Sequence, residues 1–343
     1  MKKLEYVSLD VTYRCNYRCL HCFNSSGNEK KYLQELSEDE MLRIAADFAA
    51  YNPSSFCICG GEPLLKKELL YKLSEKIKQI SPSTSVNLVT NGYYMTEEIA
   101  DNLKQSKFDL VQVSLDGVSN ETHNWLRGND QALERAINAI KIVVAKGFFT
   151  GVACAPTKKN IDQISEVLEK AYSLGVKTFR SQPLMLLGRA KKNLKEYVLD
   201  EYESFGLIEL LDEAKQKYKG MDISWGDPIQ HIAELRATEK EVNFACVNAG
   251  GNLILSPYLP IDFGNIKNHT LEEYLSHGYT TINRNVFVKR VLSMIDDANT
   301  LDVHEQNPRL PELGVEENIH MDVLGEESLD AQGERLLKEY FED

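Results

Sequence analysis

The sequence predicts an α/β fold built on parallel β-strands. Two observations carry this prediction: six short apolar or β-branched runs recur along the first half of the chain, and a longer segment with helical periodicity follows each run. A strand followed by a helix, six times over, is typical of parallel strands joined by right-handed crossovers, in either a doubly wound sheet or a barrel. The predicted strands cover residues 6–12, 55–59, 85–90, 110–115, 149–155 and 178–184.

Capping signals mark where three of the helices begin. Ser37 with Glu40 forms a capping-box sequence, Thr96 precedes two glutamates, and Asn160 stands before a helical segment that ends near residue 175. In both parallel architectures the functional site lies at the carboxyl ends of the strands. Residues with a chemical role are therefore expected directly after each apolar run.

Length and composition limit the function class. A chain of 343 residues, 43% of them hydrophobic, is long enough for one large α/β domain with an appendage, and it is not collagen-like, wholly disordered or a disulfide scaffold. The formal net charge of −13 argues against a nucleic-acid binder that works through a basic face. Thirteen acidic and three basic residues in 301–343 place most of that charge in the tail.

The βα alternation ends near residue 190, and the rest of the chain has other patterns. We predict a βα unit over 1–195, a helical linker over 196–240, a small α+β unit over 241–300 and a solvated acidic tail over 301–343 in which only 336–341 looks helical. Glu5 and Asp10 interrupt any signal-peptide core, and no run approaches 18 apolar residues. The sequence therefore predicts a soluble, cytoplasmic protein without a membrane partner.

Three cysteines crowd into eight residues directly after the first predicted strand. Cys15, Cys19 and Cys22 follow the spacing C-x3-C-x2-C, so their thiolates can converge on one metal centre. Zinc in a structural site would need a fourth ligand, and His21 is awkwardly placed for that role because it is adjacent to Cys22. A 4Fe-4S cluster held by three thiolates leaves one iron open for a substrate or a cofactor.

Other motifs follow the later strands. Glycines let a backbone approach a ligand closely, and a glutamate accepts a hydrogen bond from an ammonium group. The motifs are Gly60-Gly61-Glu62-Pro63 after the second strand, Thr90-Asn91-Gly92 after the third, Ser114-Leu115-Asp116-Gly117 with His123 and Arg127-Gly128 after the fourth, and Gly188-Arg189-Ala190 after the sixth.

With these motifs the chain, over roughly residues 5–190, resembles the radical S-adenosylmethionine (SAM) enzymes. The resemblance implies a partial (β/α)6 barrel of the TIM type, and a 4Fe-4S cluster on Cys15, Cys19 and Cys22 whose open iron chelates the amino and carboxylate groups of SAM. One-electron reduction then releases methionine and a 5′-deoxyadenosyl radical, which takes a hydrogen from the substrate. The residues implied to contact SAM are Phe23, Gly60, Gly61, Glu62, Pro63, Asn91, Ser114, Asp116 and Arg127.

The region from Cys246 to residue 266 resembles the start of a SPASM or twitch domain, the C-terminal extension of many radical SAM peptide maturases. It is degenerate, because Pro260-Ile261-Asp262 stands where a Pro-Cys pair is expected and no cysteine follows. Three interpretations of Cys246 stay open: a relic in a cap without a cluster, a hydrogen-donating or substrate-contacting thiol, and a ligand of an unusual cluster with Asp262. If the enzyme epimerises its substrate, Cys59, Cys154 and Cys246 are the candidate catalytic thiols.

The resemblance implies a ribosomally synthesised peptide as substrate, modified to a crosslink, a thioether or an epimer. It further implies an electron donor such as flavodoxin or ferredoxin. A separate leader-binding protein is expected as a partner, because the first strand starts at about residue 5. Two alternatives remain: a radical SAM enzyme that acts on a nucleotide, sugar or cofactor precursor, and a non-catalytic metal-binding module.

Overall fold

The computed structural model describes residues 4–27, 35–226, 228–313 and 316–342. Within these ranges eleven strands form one continuous sheet. The strands are β1 (Tyr6–Asp10), β2 (Ser55–Cys59), β3 (Ser85–Thr90), β4 (Leu110–Ser114), β5 (Phe149–Cys154), β6 (Thr178–Ser181), β7 (Asp222–Trp225), β8 (Phe244–Val247), β9 (Asn252–Ile254), β10 (Ile261–Asn265) and β11 (Ile319–His320). Their order across the sheet is β11-β10-β9-β8-β1-β2-β3-β4-β5-β6-β7.

Strands β1 to β7 run parallel in sequential order, and helices connect them. The α-helices are α1 (Glu38–Ala49), α2 (Lys67–Ile80), α3 (Glu97–Gln105), α4 (Trp125–Arg127), α5 (Ala132–Ala145), α6 (Ile164–Ser173), α7 (Arg189–Asn193), α8 (Glu201–Lys217), α9 (Pro228–Arg236), α10 (Leu271–Ser276), α11 (Val286–Leu292), α12 (Val303–Gln306) and α13 (Leu329–Phe341). The predicted α/β fold with an extensive parallel sheet is confirmed.

The two faces of the parallel sheet differ in chemistry. One face is apolar and fully buried in the main hydrophobic core, as Leu9 and Ile58 illustrate. The opposite face, here called the inner face, consists of the alternate positions of β1 to β8. Several of these positions are polar and only half-buried: Ser8, Asp10, Cys57, Cys59, Asn87, Gln112, Ser114 and Ser224. Because side chains alternate along a strand, one sheet serves a core on one side and a polar interior on the other.

Two of the three predicted helix starts are confirmed. The Ser37 side chain and Glu40 form a reciprocal capping box at α1, and the Thr96 hydroxyl accepts from the backbone N–H of Ile99 at α3. At the third, Asn160 does precede the helical turn Ile161–Gln163 that leads into α6, but its side chain makes no capping hydrogen bond there. Its amide donates instead to the carbonyl oxygen of Asp116 at 2.6 Å, so it joins two strand ends.

The segment 196–240, predicted as a helical linker, contains a strand besides α8 and α9. Strand β7 pairs parallel with β6, Phe179 lying opposite Ile223, and it extends the sheet by one strand. On the other side, β8 pairs parallel with β1, and Ser8 lies opposite Cys246. The region predicted as a separate cap therefore begins inside the same sheet.

The acidic tail is folded over most of its described length, which corrects the prediction of a solvated segment. Helix α13 extends from Leu329 to Phe341 and packs against α11, with Gln332 and Leu336 buried. The buried Asp302 carboxylate lies 2.5 Å from the Lys191 ammonium and connects the tail to α7. The net acidity of the tail led to the wrong prediction, because the few apolar residues that become buried are widely separated in sequence by charged residues. No helix in the described ranges is long and apolar enough to cross a membrane.

Candidate active site

The three clustered cysteines lie in the loop after β1. Cys19 is buried, whereas Cys15 and Cys22 are half-buried, and all three thiols are free. They belong to one packed group with Tyr17 and Tyr93, so all three lie in the same part of the loop. Their role as ligands of one cluster stays a prediction.

The glycines after β2 hold this loop by direct backbone contact. The N–H of Gly61 donates to the Thr12 carbonyl oxygen at 2.7 Å, and the N–H of Glu62 donates to the Arg14 carbonyl oxygen at 2.8 Å. A Cβ atom at Gly60 would collide with the Thr12 carbonyl, and one at Gly61 with the Arg14 carbonyl. The sequence predicted that the backbone at these glycines approaches a ligand closely. In this structure it closely approaches the backbone of the cysteine loop.

The Glu62 side chain is fully buried and joins the ends of β2 and β3. Its carboxylate accepts from the N–H of Leu64 at 3.0 Å, the Thr90 hydroxyl at 2.7 Å and the N–H of Asn91 at 2.8 Å. Burial raises the pKa of this carboxyl group, and the three hydrogen bonds oppose that rise. A carboxylate has about four acceptor positions, so one is left for a ligand.

Asn91 connects the end of β3 to the cysteine loop. Its side-chain amide donates to the Asn16 side-chain oxygen at 2.9 Å and lies 4.0 Å from the Cys15 sulfur. The same side chain accepts from the N–H of Tyr93 through its oxygen at 2.9 Å. Its position beside a proposed cluster ligand agrees with the sequence prediction that Asn91 belongs to the site.

Arg189 holds the cysteine loop from the end of β6. Its guanidinium donates to the carbonyl oxygens of Cys19 at 2.8 Å and Ser26 at 2.7 Å, and its backbone N–H donates to the Cys22 carbonyl at 3.0 Å. The preceding Gly188 has a φ of +55°, and a Cβ there would collide with carbonyl oxygens of the loop. Glycine is required here for conformation and for space.

Asp116 and Arg127 form a buried ion pair after β4. The guanidinium Nε lies 2.5 Å from one carboxylate oxygen, and the other oxygen accepts from the N–H of Ala155 at 2.9 Å. Burial disfavours the charged form of Asp116, but the attraction of the facing Arg127 is stronger than this effect of burial. The pKa of the Asp116 carboxyl group is therefore lowered to about 2. The Arg127 charge also lies close enough to Cys19 to oppose the rise that burial causes in the pKa of that thiol.

The other residues expected to contact SAM surround the same loop. Ser114 is the last residue of β4 and lies half-buried on the inner face; its hydroxyl forms no hydrogen bond within the described residues. The half-buried ring of Phe23 meets Tyr258 edge to face at 5.7 Å. Pro63 is buried and begins the short helical turn before α2. These placements leave the Ser114 hydroxyl available to a ligand.

The three candidate thiols occupy different environments. Cys59 lies on the inner face, and its thiol donates to the Asp10 carboxylate at 3.2 Å and lies 3.3 Å from the Ser8 hydroxyl. The neighbouring Cys57 thiol, burial and Asp10 raise the pKa of Cys59. Cys154 lies on the other face with Val152, is 2% exposed and belongs to the hydrophobic core. Its position in the core, away from the inner face, argues against Cys154 as a catalytic thiol.

Cys246 is buried on β8, where burial raises its thiol pKa to about 12. The register places Cys246 and Asp262 opposite Ile254 from either side, two strands apart. Adjacent strands are about 4.8 Å apart, so the two side chains start roughly 10 Å apart. The Asp262 carboxylate contacts His320 at 2.6 Å instead, which leaves little support for a shared cluster.

The cysteine loop fits an iron–sulfur cluster in its donor set. Burial raises the pKa of Cys15 to about 12 and that of Cys19 to about 11, and a bound metal would favour their thiolate forms because the thiolate is the metal ligand. Three buried polar atoms of this loop lack a hydrogen-bond partner: Asn16 Nδ2, the Tyr17 hydroxyl and His21 Nδ1. In the described ranges no three Cys, His, Asp or Glu side chains converge on a single metal ion.

Glu35 is a residue that positions the cysteine loop and that the sequence analysis missed. One carboxylate oxygen accepts from the Thr12 hydroxyl and from the N–H of Tyr13, both at 2.7 Å. The other lies 3.0 Å from the Lys66 ammonium. Glu35 thus holds the start of the cysteine loop from a segment that carries no recognisable motif, and no sequence signal points to it.

Comparison with known proteins agrees with this geometry. Residues 9–171 match the family model described as the Radical SAM superfamily. The sporulation killing factor maturation protein SkfB of Bacillus subtilis is 32% identical over 228 residues, which cover 66% of this chain and 51% of SkfB. An AdoMet-dependent heme synthase of Methanosarcina barkeri is 25% identical over 289 residues, covering 78% of this chain and 80% of that protein. The chain thus spans about half the length of SkfB.

Solved structures show the same fold. Streptococcus suis SuiB bound to S-adenosylmethionine matches with a TM-score of 0.70 at 14% identity, over 88% of this chain and 76% of SuiB. SuiB bound to its precursor peptide SuiA matches with a TM-score of 0.61 at 15% identity, over 75% of this chain and 60% of SuiB. The match to the Radical SAM superfamily model thus covers the strands and loops that carry the cysteine motif, and the fold of the wider chain is similar to that of SuiB.

Proposed function

We propose that the protein binds a 4Fe-4S cluster through Cys15, Cys19 and Cys22, cleaves SAM reductively and abstracts a hydrogen atom from a substrate peptide. The observation that carries the proposal is the fixation of the cysteine loop by three separate parts of the chain. Gly61 after β2, Asn91 after β3 and Arg189 at the start of α7 each hydrogen-bond to it. A loop held this way keeps its thiols in place at the carboxyl ends of parallel strands.

The chain's own residues supply positioning and charge. When bound, the cluster supplies one electron and an open iron for SAM. Arg127 places a buried positive charge beside Cys19 and so favours its thiolate form. The Glu62 carboxylate offers its remaining acceptor position to the SAM ammonium, and the Ser114 hydroxyl offers a hydrogen bond to the nucleoside. Buried packing around the loop excludes water from the reacting atoms.

A peptide substrate is supported by two relatives. SkfB is named as a maturation protein of a sporulation killing factor, and SuiB has been crystallised with a precursor peptide. The proposed products are a crosslink, a thioether or an epimer; Cys59 and Cys246 are the thiols that remain available on the inner face. Cys246 is otherwise a relic in a cap without a cluster, which we propose for residues 241–300.

Two protein partners belong to this proposal. Each reductive cleavage of SAM consumes one electron, which we propose comes from a flavodoxin or a ferredoxin. For a peptide substrate we also propose a separate leader-binding protein. The βα unit of residues 1–195 would then carry the chemistry, since it contains the cysteine loop and the strand ends that hold it.

The test is formation of 5′-deoxyadenosine from SAM by the anaerobically reconstituted, dithionite-reduced protein. A variant with Cys15, Cys19 and Cys22 all changed to Ala should form none. Cys154→Ala is the matched control, because it removes a thiol that is packed in the core on the other face of the sheet. Product from the triple variant, or a stable colourless zinc protein in place of a brown oxygen-labile one, would contradict the proposal.

A small-molecule substrate is the second candidate. The heme synthase match supports it, since it covers 80% of that relative against 51% of SkfB. Stimulation of 5′-deoxyadenosine formation separates the two candidates. Peptides encoded nearby should stimulate it if the substrate is a peptide, whereas a tetrapyrrole or nucleotide precursor should do so if the second candidate is right.

A further inference from the structure

One arginine on the inner face has no hydrogen-bond or ion-pair partner among the residues that the structure describes. Arg180 is in β6, where it pairs in register with Ala153 on one side and Ser224 on the other. Ala153 in turn lies opposite Ser114 of β4. Arg180 and Ser114 therefore share one layer across the carboxyl ends of the strands, two strands or roughly 10 Å apart.

The Arg180 guanidinium is free to bind a ligand. Its side chain is exposed, and among the described residues it makes no hydrogen bond and no ion pair. Other arginines near the site are occupied: Arg127 binds Asp116, and Arg18 and Arg189 donate to carbonyl oxygens of the cysteine loop. Arg180 is the one Lys or Arg at the inner-face positions of β1 to β8.

Gly226, directly after β7, makes room for this side chain. A Cβ at Gly226 would collide with the Nε atom of Arg180, so the guanidinium lies against bare backbone. The N–H of Gly226 donates to the Ser181 carbonyl, which fixes that backbone beside β6. The space for the arginine is therefore part of the fold, and a side chain at 226 would move the guanidinium.

The electrostatic effect of Arg180 extends across the inner face. Its charge contributes to lowering the pKa of Cys57 on β2 and opposes the burial that raises the pKa of Tyr258. The thiols on that side, Cys59 and Cys246, have raised pKa values and are neutral near pH 7. A single cation facing mostly uncharged groups attracts an anionic ligand.

We propose that Arg180 anchors a carboxylate group of the substrate in the layer of Ser114, beside the proposed SAM position. This inference rests on the proposed function and names the chemistry by which its substrate is held. A planar guanidinium binds a carboxylate through two parallel hydrogen bonds. A phosphate or triphosphate group would need further cations beside Arg180, whereas Arg180 is the one Lys or Arg on the inner face of β1 to β8.

The experiment measures binding to the anaerobically reconstituted protein by equilibrium dialysis. Two pairs of probes separate the sources of the carboxylate. One pair is the peptide Ac-Gly-Asp-Gly-NH2 and its Asn counterpart; the other is coproporphyrin and its tetramethyl ester. The variants are Arg180→Gln, Arg180→Lys and Gly226→Ala, and Arg335→Gln, an exposed arginine of α13, is the matched control.

We expect one carboxylate probe to bind at least about tenfold more tightly than its uncharged counterpart, since a hydrogen bond to a charged group contributes more than 1.4 kcal/mol. Arg180→Gln and Gly226→Ala should abolish this preference, Arg180→Lys should keep part of it, and Arg335→Gln all of it. The pair that shows the preference identifies the source, peptide or tetrapyrrole.

Several results would overturn the inference. A preference that survives in Arg180→Gln, no preference in the native protein, or binding of GTP or inorganic phosphate in place of both carboxylates would each do so. A drop in SAM affinity equal to the drop for the probe would show that Arg180 holds SAM itself. Formation of 5′-deoxyadenosine by the same native preparation reports on the proposed function, so the two failures are distinguishable.

Discussion

Asp116 joins more parts of the site than any motif position suggests. Its carboxylate binds Arg127 and the N–H of Ala155, and its carbonyl accepts from Asn160. Its own N–H donates to Nδ1 of the buried His123. The ends of β4 and β5 and the helical turn after β4 therefore meet at one residue, whose chemistry is structural as well as electrostatic.

Replacement of Asp116 by Asn should leave Arg127 buried without a counter-charge. We expect Asp116→Asn to lower the free energy of unfolding by about 3–5 kcal/mol, the usual result of removing one partner of a buried pair. Asp101→Asn is the control: its carboxylate is half-exposed beside Lys146, and its loss should cost less than about 1 kcal/mol. Urea unfolding of both variants measures the two costs, and equal costs would contradict the buried ion pair.

His123 should make stability depend on pH. Burial lowers its pKa to about 4, whereas the unfolded chain binds this proton below about pH 6.5. The unfolded state thus holds more protons between these values, so stability is complete above about pH 6.5 and falls as the pH drops toward 4. From pH 7 to pH 5 this one group should cost about 2 kcal/mol.

The matched variant for this pH effect is His123→Gln, which keeps an acceptor for the N–H of Asp116. Urea unfolding at pH 7 and pH 5 gives the stability change for each protein. The change in the variant should be smaller than that in the native chain by about 2 kcal/mol. Equal changes in the two proteins would mean that His123 takes up its proton in the folded state.

The site residues could be predicted from the sequence where they belong to a short motif of neighbouring positions. The cysteine spacing and the motif Gly60 to Pro63 occupy consecutive positions, so their proximity follows from the chain itself. Arg189 was assigned to a motif, but its clamp on Cys19 joins residues 170 positions apart. Arg180 and Glu35 carry no motif, because their roles arise only when distant strands and loops meet.

At the scale of elements, the strand ends and their glycines decide the position of the cysteine loop. Gly188→Ala should force the segment before α7 away from that loop, because the residue has a positive φ and no space for a Cβ. We expect the variant to retain markedly less iron per chain after anaerobic reconstitution. Iron content equal to that of the native protein would contradict the clamp.

Gly206→Ala is the control for this variant. Gly206 lies inside α8, where an added Cβ meets nothing within 4 Å. Alanine favours a helix interior over glycine by about 0.5–1 kcal/mol, so this control should be slightly stabilised and should keep its iron. The two glycine variants together separate a loss of the loop contact from a general effect of added side chains.

Element boundaries were predictable where apolar alternation ends at a turn signal. The predicted second and third strands match β2 and β3 residue for residue, since glycine or proline follows closely. The predicted sixth strand was too long, because β6 ends at Ser181 while the apolar run continues to residue 184 outside the sheet. Strand β7 has four residues and one fully buried side chain, Ile223, so its pattern is too short to recognise.

At the scale of the whole molecule, the tail contributes to the core. Leu336 is 4% exposed in α13, which packs on α11. We expect Leu336→Ala to lower the free energy of unfolding by about 2–5 kcal/mol. Tyr202→Ser, at a position that is 89% exposed, should change it by less than about 0.5 kcal/mol. Urea unfolding measures the free energy of unfolding of both variants. If Leu336→Ala left that free energy unchanged, the tail would be a solvated segment, as the sequence predicted.

The class of architecture could be predicted from the sequence, but the strand that pairs with the second edge of β1 could not. Repeated βα units fixed the parallel order of β1 to β6, whereas the pairing of β8 with β1 joins residues about 240 positions apart and leaves no local signal. The acidic tail was misread because net charge does not reveal which few apolar side chains pack. Leu310, Met321 and Leu336 are buried although acidic residues surround them in sequence.

The pairing of β1 with both β2 and β8 has a consequence during synthesis on the ribosome. β1 can pair with β2 early, but its other edge waits until residues 244–247 have been made. At about 5–20 residues per second that interval is roughly 10–50 s. An open strand edge invites pairing with other chains, so the newly made protein should be most vulnerable to aggregation during that interval.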